Sequence, residues 1–350
     1  IDEKYSKDKH RSNSMIEERH TDQIDYNLAV SVDHMFKNGS KIVGGIKARV
    51  NRTEYYDKVK DLLGGDYWLD VDKFAMRDFG SNEISYQNDL DYYYKHGGPR
   101  LAKEGDKFGY DYYAHVRQGQ AWASYNLVAG GFAMNVGGEV GFSTMWRQGL
   151  WRKGLFPTDS YGDSEHLKYF TYKAKLGLRY RFSGAHALEV NAVAMQNAPH
   201  FRDAFLSART RNQVTPNLKP EKTYGVDLTY ELKLPWIKAR LSGYYTRIND
   251  QAKVISFYDD LQSSYTNFAM DGIDKRYMGI ELGLTMPLGA GISLNGAISV
   301  GDYRYVSNPQ FTQVVDNSAS VEVISKVNWK NYYIESTPQK AFNVGLSYRG

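Results

Sequence analysis

The side chains best equipped for chemistry in this chain are eight histidines, a short acidic run and a large stock of tyrosine. His10, His20, His34, His96, His115, His166, His186 and His200 show no HxxxH or HExxH spacing, and no GxSxG elbow or phosphate-binding glycine loop occurs. Cysteine is absent, so neither a disulfide framework nor a thiolate metal site is available. Residues 159–165, DSYGDSE, carry the oxygen ligands calcium takes, but they depart from EF-hand spacing and read first as a solvated acidic turn. No catalytic residue, metal site or cofactor is expected. The chemistry these residues suit is binding.

For binding, the segment 54–112 is the first candidate, because connections of that length are usually functional. It carries Tyr55, Tyr56, Tyr67, Trp68, Tyr86, Tyr92, Tyr93, Tyr94, Tyr110 and Tyr112. Rings with a polar tip can stack on planar or sugar faces, or they can knit a loop into a self-supporting cap, the second reading being favoured. Tyr67, Trp68, Tyr92, Tyr93 and Tyr94 are the candidate ligand contacts here, with Trp146 and Trp151 in the connection 146–166. Interfacial anchoring competes with capture for the two tryptophans.

The elements that must position these residues are strands. From Ile24 onward, stretches of about ten residues alternate apolar and polar side chains, as a tilted strand crossing a hydrocarbon layer does. Their connections alternate between short (37–40, 128–131, 183–186, 234–236, 287–291) and long (54–112, 146–166, 197–221, 249–274, 306–337). Transmembrane barrels have short periplasmic turns and long extracellular loops. The expected fold is therefore all-β, an antiparallel transmembrane barrel wall of about eleven strands. Mean hydropathy is −0.57, and no apolar run long enough for a spanning helix occurs. A soluble sandwich or propeller fits poorly, since Lys173, Lys175, Arg179 and Arg181 share one face of a strand and cannot line a dry core unpaired. A water-filled lumen accommodates them.

One hairpin illustrates both faces. Opposing Lys233 with Lys238 sets Glu231 against Arg240 in the lumen and Leu232 against Ala239 outside. Pairing Phe182 with Leu188 puts Arg181 opposite Glu189, and Phe36–Ile42, Leu127–Phe132 and Met286–Ile292 are the corresponding expectations elsewhere. Lys173, Lys175, Arg179, Arg181, Asp227, Glu231 and Arg240 are thus expected to face the lumen. They either steer an anionic substrate or pair across the wall, the second reading being favoured. Aromatics close both ends of the apolar stripe: Phe36, Phe132, Phe182 and Trp236 at the turns, Tyr26, Phe142, Tyr224 and Tyr245 at the loops. The net charge of +4, from 44 basic and 40 acidic residues dispersed among each other, makes no case for nucleic acid.

Within this frame, residues 216–221 (Pro216, Asn217, Leu218, Lys219, Pro220, Glu221) read PNLKPE, and the chain there resembles the barrel of TonB-dependent outer-membrane receptors. The run 198–211, APHFRDAFLSARTR, and 336–349, STPQKAFNVGLSYR, are similar to the large receptors of Bacteroidota. The resemblance implies a closed barrel of about twenty-two strands around an N-terminal plug. It also implies a TonB box coupling that plug to TonB, ExbB and ExbD, and a place in the outer membrane among its lipids. Residues 1–350 are then a partial barrel domain, with plug and final strands outside this sequence and two edges that would otherwise stand unpaired. The implied activity is capture of a scarce nutrient by outer loops and import through the barrel, without bond making. A surface lipoprotein is a further possible partner. A receptor-like scaffold of an outer-membrane complex, or a passive porin, is the alternative.

Overall fold

Alternation of period two gives each strand one apolar face, and eleven such strands join edge to edge into a single antiparallel sheet. The computed structural model describes residues 3–261, 263–316 and 322–349. In chain order the wall strands are β1 (Ile16–Met35), β2 (Lys41–Asp61), β3 (Lys107–Ala129), β4 (Phe132–Gly149), β5 (Leu167–Arg181) and β6 (His186–Asn197). Then follow β7 (Glu221–Leu234), β8 (Ile237–Asp259), β9 (Ser264–Gly289), β10 (Ile292–Tyr305) and β11 (Lys340–Tyr348). Each pairs with its sequence neighbours, so the path runs from β1 to β11 without a crossover. This is the antiparallel wall, with the eleven strands, that the alternation predicts.

The apolar face is exposed. Leu241, Leu282, Ile298 and Phe342 form one row across β8 to β11, and Phe342 is 85% exposed. In water such a face would drive aggregation; against lipid tails it is the stable arrangement. Tyr26, Phe142, Tyr224 and Tyr245 at one end and Phe36, Phe182 and Trp236 at the other are likewise exposed, where amphipathic rings meet the headgroups.

Three of the five turns, 130–131, 235–236 and 290–291, are tighter than the sequence pattern suggests. Ala290 (φ 49°) and Gly291 (φ 74°) both occupy the left-handed region that a two-residue type I′ turn requires. The β7–β8 hairpin keeps the expected register, Lys233 opposite Lys238 and Glu231 opposite Arg240. The other four slip by two residues: Tyr180, not Phe182, faces Leu188; His34, not Phe36, faces Ile42; Met134 faces Leu127; and Leu294 faces Met286. Glu189 accordingly lies opposite Arg179 rather than Arg181. A slip of two leaves every side chain on its own face of the sheet.

At the other end the strands outrun their expected lengths. Crossing the hydrocarbon layer takes about ten residues, whereas β9 has 26 and β3 has 23. The connection 249–274 is therefore a projecting hairpin whose pairing shifts between Ile248 and Lys253, where Asp250 has φ 59°, and resumes to Asp259 and Ser264. Trp146 belongs to β4 rather than to a loop. The connection after β10 adds two strands, Gln310–Val315 and Glu322–Lys326, to the same projection; its residues 317–321 lie outside the described residues.

Candidate functional site

Above the wall, the connections 62–106, 150–166 and 198–220 meet the projecting β8–β9 hairpin and interlock. Apolar side chains that the wall cannot bury are buried here. Tyr67, Leu69, Val71, Ala75 and Tyr86 make one core, and Met145, Leu167, Ala204 and Phe205 make another under 198–220. Leu206 from the same connection packs on Val254, Ala269 and Val314 of the hairpin region. Two helices stiffen the first connection. Lys73–Phe79 is capped by Asp72, whose side chain accepts from the backbone of Phe74 and Ala75, and Leu90–His96 is capped by Asp89 and closed at Gly97 (φ 68°).

Backbone bonds stitch one connection to the next: Leu90 N–H to the Arg152 carbonyl (2.8 Å), Gly154 N–H to that of Gln87 (2.9 Å), and Asn212 N–H to that of Asp159 (2.6 Å). Asp203 accepts from the Val254 N–H at 3.0 Å. The strongest latch is Arg147, 2% exposed at the top of β4. Its guanidinium donates to the carbonyls of Ala208 (2.6 Å) and Ser160 (2.9 Å) and to Asn212 Oδ1 (2.5 Å), tying three segments together. Burial lowers its pKa to about 10.

A second buried network lies between 62–106 and 150–166. Lys153 Nζ donates to Asn88 Oδ1 (2.9 Å) and to the Gly109 carbonyl, while Asp70 Oδ1 accepts from Asn88 (2.7 Å) and from the Gly109 N–H (2.9 Å). Desolvation brings the Lys153 ammonium down to about 8 and pushes the Asp70 carboxyl up. Arg100, 3.9 Å from Asp70, is clasped between the rings of Tyr92 and Trp151, each 4.5 Å from its guanidinium.

The aromatic candidates are therefore mostly engaged with protein. Tyr67 is buried and donates to Asp8 (2.6 Å), which together with burial pushes its hydroxyl up to about 12. Trp68 holds the Lys73 ammonium 4.0 Å from its ring. Tyr92 stacks on His96, Tyr93 meets Tyr94 edge to face, and Tyr94 stays 63% exposed. Trp146 is sandwiched between His115 and His166, with ring centroids 4.5 and 4.4 Å away.

Charges on the polar face of the sheet pair across the wall. Arg179 reaches both Glu189 (2.9 Å) and Glu231 (2.6 Å), Lys173 meets Glu139 (3.0 Å), and Arg49 clasps Asp25 (2.6 Å). Asp227 accepts from Asn191 at 3.1 Å. Arg240 lies opposite Glu231 in register, yet the Glu231 carboxylate is taken by Arg179 and by Lys233 (3.4 Å). Lys175 is exposed on the same face, and Arg181 stands opposite Ala187.

Beneath 198–220, between it and the lumen face of β2 to β5, lies a cavity of about 1030 Å³. Its walls are mixed: Arg49, Gln118, Thr171 and Lys173 from the barrel, His200 and Arg202 from the connection and Lys253 and Lys275 from the hairpin strands supply polar groups, and Val116, Met145 and Phe201 supply apolar surface. The PNLKPE segment borders it. Asn217 takes a left-handed turn (φ 51°), Leu218 packs into the core under 198–220, and Lys219 and Glu221, the first residue of β7, line the cavity. Pro216 and Pro220 frame this entry to the strand. The resemblance singles out PNLKPE but not Arg147 or Lys153, whose partners, backbone carbonyls and the side chains of Asn212 and Asn88, lie on remote loops.

A family model for TonB dependent receptor-like β-barrels matches residues 6–350. The chain belongs to this family. No curated protein matches the sequence. Among solved structures the chain is similar to the copper transporter OprC (13% identity, TM-score 0.56, 84% of this chain and 41% of that one). It is also similar to the ferric citrate transporter FecA (10%, 0.51, 85% and 40%) and to the FrpB iron transporter of Neisseria meningitidis, variant F3-3 (11%, 0.50, 84% and 40%). It spans about two fifths of the length of each. At these identities the likeness is one of fold. The TonB-dependent receptor barrel is an outer-membrane barrel, which puts the interlocked connections outside the cell and the tight turns in the periplasm.

Proposed function

We propose that this barrel segment is part of an importer that captures a scarce nutrient at its extracellular cap and passes it through the lumen. The observation that supports this reading best is the cavity of about 1030 Å³ below residues 198–220, lying between the cap and the polar lumen wall. A drug-sized ligand fits a cavity of this class, and its charged and amide groups beside apolar side chains suit a cargo with both polar and apolar parts. Transit needs a plug that moves, and energy from the inner membrane through TonB, ExbB and ExbD. The resemblance of residues 198–211 and 336–349 to the large receptors of Bacteroidota makes a surface lipoprotein a fitting partner for the cap.

Exposed Tyr94 and the rim residues Tyr92, Tyr93 and Trp151 are the first contacts in this reading, with Tyr67, Trp68 and Trp146 as the supports that hold them. Lys175 and Arg240, which make no ion pair among the described residues, extend the path along the lumen. Growth of a deletion strain on single defined nutrients, with and without TonB, identifies the cargo class. One nutrient on which growth needs both this gene and TonB is the expected result; growth that needs the gene but not TonB contradicts active import.

A further inference from the structure

The exposed apolar face ends, on the extracellular side, in basic residues whose pairing differs from one flank of the sheet to the other. On β8 to β10 the basic residues stand in one row, Arg247 opposite Arg276 and Arg276 opposite Arg304, and acids neutralise them: Asp274 lies 3.4 Å from Arg247, and Asp302 lies 2.6 Å from Arg276 and 2.5 Å from Arg304. On β2 to β5 the corresponding cations are Arg52, Arg117 and Lys168. All three are exposed, and no ion pair joins any of them to an acid among the described residues.

Their register groups them. Arg52 lies opposite His115, which lies opposite Trp146; Arg117 lies opposite Thr144, which lies opposite Lys168. One strand separates Arg117 from Lys168, so their backbones are about 10 Å apart, within mutual reach of long side chains. Trp146 and Tyr113 hold the two guanidiniums in place, Arg117 at 4.9 Å and Arg52 at 4.8 Å from the rings. Directly below, on the same face, lie Val50, Phe142 and Phe170, with Phe142 66% exposed and its ring 5.4 Å from that of Phe170.

We propose that Arg52, Arg117 and Lys168 form a site for a phosphate-bearing lipid of the outer leaflet, with the phosphate on the three cations and the acyl chains along Val50, Phe142 and Phe170. Position favours a lipid over a soluble anion. The cations point away from the lumen, and the apolar surface continues from them without a break into the hydrocarbon-facing band. Arginine suits phosphate because its planar fork binds two oxygens at once. The paired row on β8 to β10 has no such surplus of charge and serves as an internal comparison.

The test is native mass spectrometry of the full-chain receptor in detergent, with phosphatidic acid as phosphate-monoester lipid and phosphatidylcholine as the zwitterionic control. The wild-type protein is expected to retain phosphatidic acid at least about tenfold better, since each cation near a headgroup contributes roughly fivefold. The triple variant R52Q/R117Q/K168Q loses that preference, while R247Q/R276Q/R304Q keeps it. Unchanged phosphatidic acid binding in the first triple variant overturns the proposal, and so does displacement of the lipid by millimolar inorganic phosphate, which identifies a soluble-anion site. A measurement free of any folding defect is the salt series on wild-type protein. The preference falls as ionic strength rises, and a preference indifferent to salt also contradicts the site.

Discussion

The wall and the cap solve opposite problems with the same residue types. In the wall, apolar side chains face outward to lipid and charges face a wet lumen, so Arg179 pairs with Glu189 and Glu231 while keeping about a third of its side chain in solvent. In the cap, apolar side chains are inside and two cations, Arg147 and Lys153, are buried to 2% and 8% exposure. A charge in the wall can lose its partner to water. A charge in the cap cannot, because loss of its hydrogen bonds leaves both it and the carbonyls it satisfies unpaired in a dry site. Regular strands thus tolerate substitution that the irregular connections do not, which is the reverse of what loops on a soluble scaffold usually show.

The sharpest break of this comparison is Arg147→Met. Removing the guanidinium orphans the carbonyls of Ala208 and Ser160 and the side chain of Asn212, at a cost of about 4 kcal/mol to the cap. Hydrogen exchange in 158–164 and 206–214 should accelerate by two to three orders of magnitude at that cost, with the wall strands unchanged; equal acceleration in β10 would show that cap and wall are one unit.

Next is Ile298→Arg, a charge placed in the middle of the lipid-facing row. It should cost the wall about 3 kcal/mol, read as a lower urea midpoint for unfolding from lipid vesicles. A change below about 0.5 kcal/mol would place Ile298 outside the hydrocarbon layer.

Lys153 tests the cap through pH. Its ammonium is held at about 8 against an ordinary 10.5, so between those values the unfolded connection binds more protons than the folded one. Cap stability then rises with pH across 8 to 10.5, by up to roughly 3 kcal/mol. Resistance of residues 62–106 to proteolysis should increase over that window in the native protein and stay flat in Lys153→Met. The smallest effect belongs to the wall: Arg179→Gln should cost under about 1 kcal/mol, since a lumen pair one third exposed is screened by water. A loss of several kcal/mol would mean that the lumen is dry at that level.

How much of this was legible depends on where the determinants lie along the chain. Faces follow from period two, so Glu231 and Arg240 on one side and Leu232 and Ala239 on the other are readable from neighbours alone. Register is less so, because moving the centre of a turn by one residue shifts partners by two without moving faces, which is how Glu189 comes to oppose Arg179 instead of Arg181. The Glu231 carboxylate goes to Arg179, 52 residues away, although Arg240 is opposite it in register; a long side chain reaching across β6 is invisible to pairing rules. Strand ends were hardest, since the pattern fades beyond the lipid where both faces meet protein, and the irregularity at Asp250 resets the alternation. The tyrosine-rich connection was readable as a cap in composition, but not in its latches.

The most direct test of the two-sided account is cysteine accessibility in intact cells, helped by the absence of any native cysteine in this chain. Tyr94→Cys in the cap and Asn38→Cys in the β1–β2 turn are each exposed positions, to be treated with a membrane-impermeant maleimide before and after permeabilising the outer membrane. Labelling of Tyr94→Cys in intact cells, and of Asn38→Cys only after permeabilisation, is the predicted result. The reverse pattern, or labelling of both in intact cells, would contradict a wall that holds its cap outside and its turns in the periplasm.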